Sequence, residues 1–223
     1  MTDEQSRESE IRAAVVEAAR SLFRNQVMSH TGHANLSGRV ASDEMLLTVD
    51  GMVRDLSPDR LARVRFDGTV LAGTLDPTNA EIVAMHSEVY RARPEVGGII
   101  HTHSPNLLAF AMANSPLPCR YEALLRFGQA EEVPVVPWAP RGSERSVGGI
   151  VEALREHPAT HAVILANHGV LVFGRSPQAA AALVTVLEEA AEGELAASPL
   201  GGAVEFPSGA LDEVRAAMAR VRS

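Results

Sequence analysis

The sequence lacks the features that mark several large classes of proteins. Its single cysteine, Cys119, excludes an intramolecular disulfide and is typical of a reducing compartment. No apolar run approaches the roughly 18 to 20 residues that span a bilayer, and the polar start MTDEQSRESE does not resemble a secretory signal. Its 20 basic residues are scattered and outnumbered by 28 acidic ones, which argues against binding to nucleic acid. We therefore expect a cytoplasmic protein with neither a membrane nor a nucleic acid as partner.

The composition and the order of predicted elements favour one α/β domain. The 223 residues are 46% hydrophobic, enough for a core of ordinary size, and we expect a single domain over residues 1–223. Strands and helices mix without a regular βαβ alternation, and the Asp67-Gly68 dipeptide predicts a hairpin. This pattern favours a mainly antiparallel sheet surrounded by helices over a doubly wound parallel fold.

Apolar spacing places the predicted elements along the chain. The helix that follows LDPTN has Thr78 or Asn79 as its expected N-cap. The predicted helices cover residues 10–28, 80–93, 107–113, 143–157, 178–197 and 211–222. A loop within residues 29–40 is predicted to lead into a short strand, and the other predicted strands lie within residues 45–52, 64–73, 96–103, 132–138 and 161–174.

The segment IIHTH, residues 99–103, places two histidines at the end of a predicted strand. Residues two apart in a strand point to the same face, so His101 and His103 lie side by side while Thr102 points away. Two such imidazoles can bind one transition metal ion. The alternative is a pair of unrelated histidines.

A third histidine, His168, lies in ANHGV at the turn between two apolar strands. Gly169 removes side-chain bulk there and permits an unusual backbone angle. Three protein ligands with one open position are typical of catalytic rather than structural zinc. The alternative is a solvated turn residue.

The ordered motifs TGHANLSGR, TVDG, NAEIVAMH, YRARPEVGGIIHTHSPN, PVVPW and NHGVL resemble the class II aldolase and adducin family over roughly residues 10–195. The resemblance implies a three-layer α/β/α fold with a mainly antiparallel central sheet. It also implies a homotetramer with active sites between subunits. His101, His103 and His168 match the metal ligands of the family, with Zn²⁺ as the expected ion and Mn²⁺ or Co²⁺ as alternatives.

Two residues match catalytic positions of the family. Glu81 resembles the acid or base on the helix before the His-x-His strand, although it lies five residues before His86 where many relatives have four. Its alternative role is to stabilise the helix N-terminus through the macrodipole, by about 0.3 to 1 kcal/mol. Tyr121 lies where relatives contribute a residue to the neighbouring subunit, and alternatively it packs within an amphipathic helix. His86 is interpreted as a packed structural histidine.

The expected substrate loops depart from the family pattern. Asn35 and Ser37 match the first loop that binds phosphate in relatives, and Gly51 matches the second. Asp50 replaces a neutral hydroxyl residue, and either Thr78-Asn79 or Asn79-Ala80 replaces a serine pair. If both groups are desolvated, a carboxylate and a phosphate side by side repel each other by several kcal/mol at an effective dielectric constant of roughly 20. This argues against a phosphorylated substrate. His33, in the first loop, either contacts the substrate or is solvated.

The sequence therefore predicts a divalent-metal-dependent lyase of the aldolase type. By this hypothesis it cleaves or forms a carbon–carbon bond next to a carbonyl through a metal-stabilised enediolate. Its substrate would be a small hydroxy-carbonyl or sugar-like molecule. Two alternatives stay open: a metal-dependent decarboxylase of a hydroxy or keto acid on the same site, and a non-catalytic adducin-like interaction module.

Overall fold

The structure, a computed structural model, describes residues 3–221 and contains one eight-stranded sheet. In chain order the strands are β1 (Ala34–Arg39), β2 (Glu44–Thr48), β3 (Leu61–Arg65), β4 (Val70–Ala72), β5 (Gly98–Thr102), β6 (Val135–Val136), β7 (Ala162–Leu165) and β8 (Gly169–Gly174). They lie in the order β4-β3-β2-β1-β5-β8-β7-β6. Among the described strands only β6 and β7 pair in parallel. The prediction of a mainly antiparallel sheet is confirmed.

Helices cover both faces of the sheet. They are α1 (Asp3–Arg24), α2 (Pro77–Ala92), α3 (Pro105–Ala113), α4 (Glu122–Arg126), α5 (Glu144–Glu156), α6 (Pro177–Ala197) and α7 (Ala210–Val221). Helices α1, α3 and α6 pack together over one face, and α2 and α5 pack over the other. The three-layer α/β/α arrangement is therefore confirmed. Within residues 3–221, no helix has both the length and the apolar character needed to cross a membrane.

Strand β5 shows how alternation sorts side chains between the two layers. Ile100 belongs to the core under α1, α3 and α6, whereas Ile99 belongs to the core under α2 and α5. Because successive side chains alternate, His101 shares the face of Ile99. Thr102 points the opposite way, and its hydroxyl donates to Sδ of Met28 at 3.5 Å. The strand thus delivers His101 to the α2 side of the sheet.

Several predicted boundaries are wrong for local reasons. The first helix begins at Asp3 and ends at Arg24, because Gln26 adopts a left-handed φ of 58°. Helix α2 starts earlier than predicted, with Pro77 in its first turn and Asp76 as N-cap, its carboxylate accepting from the Thr78 amide at 2.8 Å. Neither Thr78 nor Asn79 caps this helix. The strand predicted at 132–138 reduces to Val135–Val136, since flanking prolines lack the N–H that a ladder needs.

Candidate metal centre

Two chain segments bring three histidines to one end of the sheet. His101 lies in β5 and His103 follows that strand directly, while His168 lies in the turn between β7 and β8. Because β5 pairs with β8, the two segments end beside each other. One ring nitrogen from each histidine lies within 4.8 Å of the others. The ring centroids are 4.7 to 5.2 Å apart.

The turn that carries His168 has specific backbone requirements. Asn167 adopts a left-handed φ of 56°, a conformation that asparagine tolerates better than most residues. Gly169 is not the residue with the unusual angle, contrary to the expectation from sequence. Its role is spatial, because a Cβ there would lie 2.6 Å from both Cδ2 of His103 and the carbonyl oxygen of Thr102. The missing side chain makes room for the cluster.

The imidazoles are held in the neutral form that binds metal ions. Nδ1 of His101 lies 3.0 Å from the carbonyl oxygen of Val170, so it carries the proton and leaves Nε2 with its lone pair. Burial, then the neighbouring His168 and His103, hold the pKa of His101 well below its usual value. Burial, followed by His168, His33 and Arg141, lowers the pKa of His103 to about 4.

The donor set fits a divalent transition metal. Nε2 of His103 is buried without a hydrogen-bond partner among the described residues, which is costly for a polar atom unless another ligand satisfies it. Ring nitrogens that share one zinc ion are roughly 3 to 4 Å apart, given bonds of ~2.0 to 2.1 Å. The three ring nitrogens lie within 4.8 Å of one another, close to that spacing. The three imidazoles therefore match the nitrogen donors that divalent transition metals accept.

A buried polar network lies behind the cluster, between β1 and α2. Nε2 of His86 lies 3.2 Å from Oδ1 of Asn35, and Nδ1 of His86 lies 2.7 Å from Oγ of Ser37. The Ser37 hydroxyl also contacts the Tyr90 hydroxyl at 2.9 Å. Asn35 pairs with His101 across the strands, so the network meets the candidate ligands directly. Burial lowers the pKa of His86 to about 3, consistent with a packed, neutral histidine.

A fourth imidazole, His33, forms a wall of the site. Its ring stacks on that of His103, with centroids 5.5 Å apart and planes 2° from parallel. Gly51 lets it approach, because a Cβ at Gly51 would lie 2.1 Å from Cε1 of His33. The Asp50 carboxylate stabilises this turn by accepting from the amide of Met52 at 2.9 Å. The motif TVDG thus positions His33 against the cluster.

Charged groups lie within electrostatic reach of the histidines, where the β6–α5 loop meets the N-terminal half of α2. Glu81 forms an ion pair with Arg141, whose Nε lies 3.1 Å from Oε2 of Glu81. Nη2 of Arg141 donates to the carbonyl oxygen of Thr78 at 2.6 Å. Asn79 is buried, and its amide donates to the carbonyl oxygen of Thr48 at 2.8 Å, which fixes α2 to the end of β2.

Sequence reasoning gave no role to Arg141. It lies in the loop between β6 and α5, outside the motifs that drew attention to the site. The only feature of the sequence that points to it is the glycine that follows, Gly142. In the structure a Cβ at Gly142 would lie 2.8 Å from Cβ of Glu81, so the glycine lets this loop approach α2.

Tyr121 lies apart from these groups. It precedes α4, its side chain is exposed with 43% relative accessibility, and its hydroxyl lies 3.5 Å from Glu189 on α6. None of its described contacts reaches the histidine cluster of its own chain.

Comparison with known proteins agrees with this architecture. The sequence matches the family described as Class II Aldolase and Adducin N-terminal domain over residues 13–195. The chain belongs to this family. The resemblance inferred from the motifs is thereby confirmed.

Relatives in the family carry out different reactions. The 3-oxo-tetronate 4-phosphate decarboxylase of Escherichia coli is 31% identical over 200 residues, 86% of this chain and 89% of that protein. The 5-methylthioribulose-1-phosphate/5-deoxyribulose-1-phosphate aldolase of Rhodospirillum rubrum is 27% identical over 183 residues, 82% of this chain and 79% of that protein. A solved L-fuculose 1-phosphate aldolase shares the fold, with a TM-score of 0.81, 21% identity, and coverage of 95% and 97% of the two chains.

Proposed function

We propose that this protein is a divalent-metal-dependent lyase that cleaves or forms a carbon–carbon bond next to a carbonyl. The observation that carries the proposal is the convergence of three neutral imidazole nitrogens within 4.8 Å of one another at one end of the sheet. The chain contains no lysine, so the alternative route to such chemistry, a lysine Schiff base, has no residue to form it. The convergent histidines also favour an enzyme over a non-catalytic interaction module.

The histidines are the residues that would hold the ion. His101 in β5, His103 directly after it and His168 in the β7–β8 turn would each supply one ring nitrogen, and a site with three protein ligands would leave room for substrate oxygens. A divalent cation bound there supplies electrostatic stabilisation for the negative charge that develops when the carbon–carbon bond breaks. Zn²⁺ is our first choice, with Mn²⁺ and Co²⁺ as alternatives.

We assign the proton transfer to Glu81. We infer that its carboxylate can accept a proton from a substrate carbon or hydroxyl and return it, because it pairs with Arg141, whose charge acts on His103 and His168. The helix that bears it is fixed by the bond from Asn79 to β2. Asn35 and Ser37 support the site through their contacts with His86, since all three side chains are buried and hydrogen-bonded together behind His101. Thr78 and Gly51 line the approach.

The objection to a phosphorylated substrate weakens in the light of the structure. It rested on an uncompensated carboxylate at Asp50, but Asp50 forms an ion pair with Arg60. Neutralisation of that charge removes most of the expected repulsion. The named substrates of the decarboxylase and aldolase relatives are phosphates. We therefore extend the proposed substrate class to phosphorylated hydroxy-carbonyl compounds.

A decarboxylase is the second candidate, because the decarboxylase relative is 31% identical and aligned along most of both chains. A panel of phosphorylated and unphosphorylated keto acids and ketoses, analysed by product mass with and without EDTA, separates the two reactions. An aldehyde product that requires metal supports aldol cleavage, whereas carbon dioxide without an aldehyde supports decarboxylation. Turnover that is unaffected by complete removal of metal contradicts both.

We also propose that the chain is a single domain that assembles as a cytoplasmic homotetramer, with Tyr121 serving the site of a neighbouring subunit. What supports this is the exposure of Tyr121 and Phe127 on either side of α4, a position suited to an interface. Light scattering measures the assembly. A monomer would contradict the tetramer, and full activity of Tyr121→Phe in a tetramer would contradict a role for the hydroxyl.

A further inference from the structure

Arg141 places a cation at the mouth of the candidate site. Its Nε donates to Oε2 of Glu81 at 3.1 Å, and its Nη2 donates to the carbonyl oxygen of Thr78 at 2.6 Å. A guanidinium carries five N–H donors in a planar fork. These contacts use two of them, so three remain for another acceptor.

The guanidinium charge acts on the cluster itself. It lowers the pKa of His33, where burial is the larger cause, and likewise the pKa of His168. It also contributes to the lowered pKa of His103, after burial and the two neighbouring imidazoles. Since the chain has no lysine, every cationic side chain near the site is an arginine. A second one, Arg60, is already paired with Asp50.

The ion pair between Arg141 and Glu81 is weak enough for Arg141 to exchange Glu81 for another anion. The side chains of Arg141 and Glu81 are 37% and 50% exposed, and such solvated pairs contribute little to stability. An oxyanion that offers two oxygens to the fork forms a bidentate, charge-assisted contact, which is stronger and more directional. An anionic substrate that takes the Nε and Nη2 edge of the fork, where Glu81 now binds, can therefore displace Glu81 from Arg141 at little cost.

We propose that Arg141 binds an oxyanionic substituent of the substrate, a phosphate or a carboxylate, and releases Glu81 when it does so. This inference rests on the proposed metal-dependent function and specifies its substrate class. Glu81 is then paired in the free enzyme and unpaired when substrate occupies the site. The group that moves the proton is available only when a proton has to be moved.

The test compares three ligands that share one hydroxyketone but differ in charge: dihydroxyacetone, dihydroxyacetone phosphate and hydroxypyruvate. Binding is measured by calorimetry on the full zinc-loaded chain. The variants are Arg141→Gln, the conservative Arg141→Lys, and Arg155→Gln. The last is a matched control, because Arg155 is an exposed, ion-paired arginine at the other end of α5.

We expect Arg141→Gln to weaken binding of at least one anionic ligand by about tenfold or more, the usual effect of removing one partner of a charge-assisted pair. Dihydroxyacetone should change less than about twofold, Arg141→Lys should recover part of the loss, and Arg155→Gln should behave as wild type. A loss confined to the phosphate ester identifies a phosphate as the anion, and a loss confined to hydroxypyruvate identifies a carboxylate.

Two failures can be told apart. If Arg141→Gln weakens the neutral and anionic ligands equally, or weakens neither, the role of Arg141 is overturned. If binding of dihydroxyacetone to wild type does not depend on zinc, the proposed metal-dependent function is contradicted instead.

Discussion

Strands β1 and β5 carry apolar side chains on one face and polar side chains on the other. On the α6 side Leu36 pairs with Ile100 within an apolar core. On the α2 side Asn35 pairs with His101, and the neighbouring Ser37 contacts His86. Buried polar groups are costly unless they are satisfied. At these positions the α6 side contributes only apolar packing, whereas the α2 side, beside the apolar Ile99, also fixes particular polar atoms.

The largest effect is expected on turnover, from a change at Glu81 beside the polar face. Glu81→Gln should reduce turnover by about 10² to 10⁴-fold, because a positioned proton-transfer group contributes that much. Zinc content and melting temperature should stay near wild type, since the side chain is half exposed. Steady-state kinetics on an accepted substrate measures the loss. Glu152→Gln, which breaks a similar exposed pair on α5, is the control. A loss below tenfold would remove Glu81 from the proposed chemistry.

On the apolar face the expected effect is on stability. Leu187→Ala in α6 removes a fully buried side chain and should lower the free energy of unfolding by about 2 to 5 kcal/mol. The folded variant should still bind zinc. Urea unfolding measures the change, with the partly exposed Val151→Ala as control. If the folded Leu187→Ala protein no longer bound zinc, the two faces would not be functionally separate.

Gly169 lies against two of the candidate ligands, His101 and His103. Gly169→Ala places a Cβ 2.6 Å from His103, so the cluster must shift. We expect a stability loss of about 1 to 3 kcal/mol, together with weaker zinc binding. Gly148→Ala is the control, since a Cβ there meets nothing within 4 Å. Zinc affinity equal to wild type in a zinc competition assay would show that the close approach does not matter.

The last effect is absent at neutral pH and develops only below it, through the pH dependence of the polar network. His86 has a pKa near 3 in the folded chain and about 6.5 when unfolded, so the unfolded state binds more protons between these values. Its stabilising contribution is complete above about pH 6.5. It falls by up to about 1.4 kcal/mol per pH unit as the pH decreases.

His86→Gln keeps hydrogen-bonding groups but cannot titrate, so it should flatten this slope. Urea unfolding of metal-free protein between pH 4 and 8 provides the comparison. An unchanged slope would mean that His86 is not the buried neutral group that the structure indicates.

The sequence predicted the parts of the fold that depend on local periodicity. Alternation in IIHTH placed His101 and His103 on one face, and the apolar strands around NHGV placed His168 at a turn. The family motifs supplied the layer order. These features depend on short-range spacing, which a single sequence contains.

The remainder depended on contacts between distant segments. Arg141 and Glu81 are 60 residues apart and meet only because the β6–α5 loop folds over α2. The compensation of Asp50 by Arg60 likewise required the folded turn. Nor could spacing show that Ser37 faces His86 inside the protein rather than an open loop. Charge pairing and burial of this kind are properties of the tertiary structure.

Zinc stoichiometry tests the central claim most directly. After loading and exhaustive dialysis at pH 7, elemental analysis should find one zinc ion per chain in wild type. The same value is expected for His157→Asn, which alters a histidine at the far end of α5. His101→Asn, His103→Asn and His168→Asn should each retain less than about a tenth of an equivalent, because two imidazoles hold the ion too weakly. Full zinc occupancy in any of these three variants would contradict the shared site.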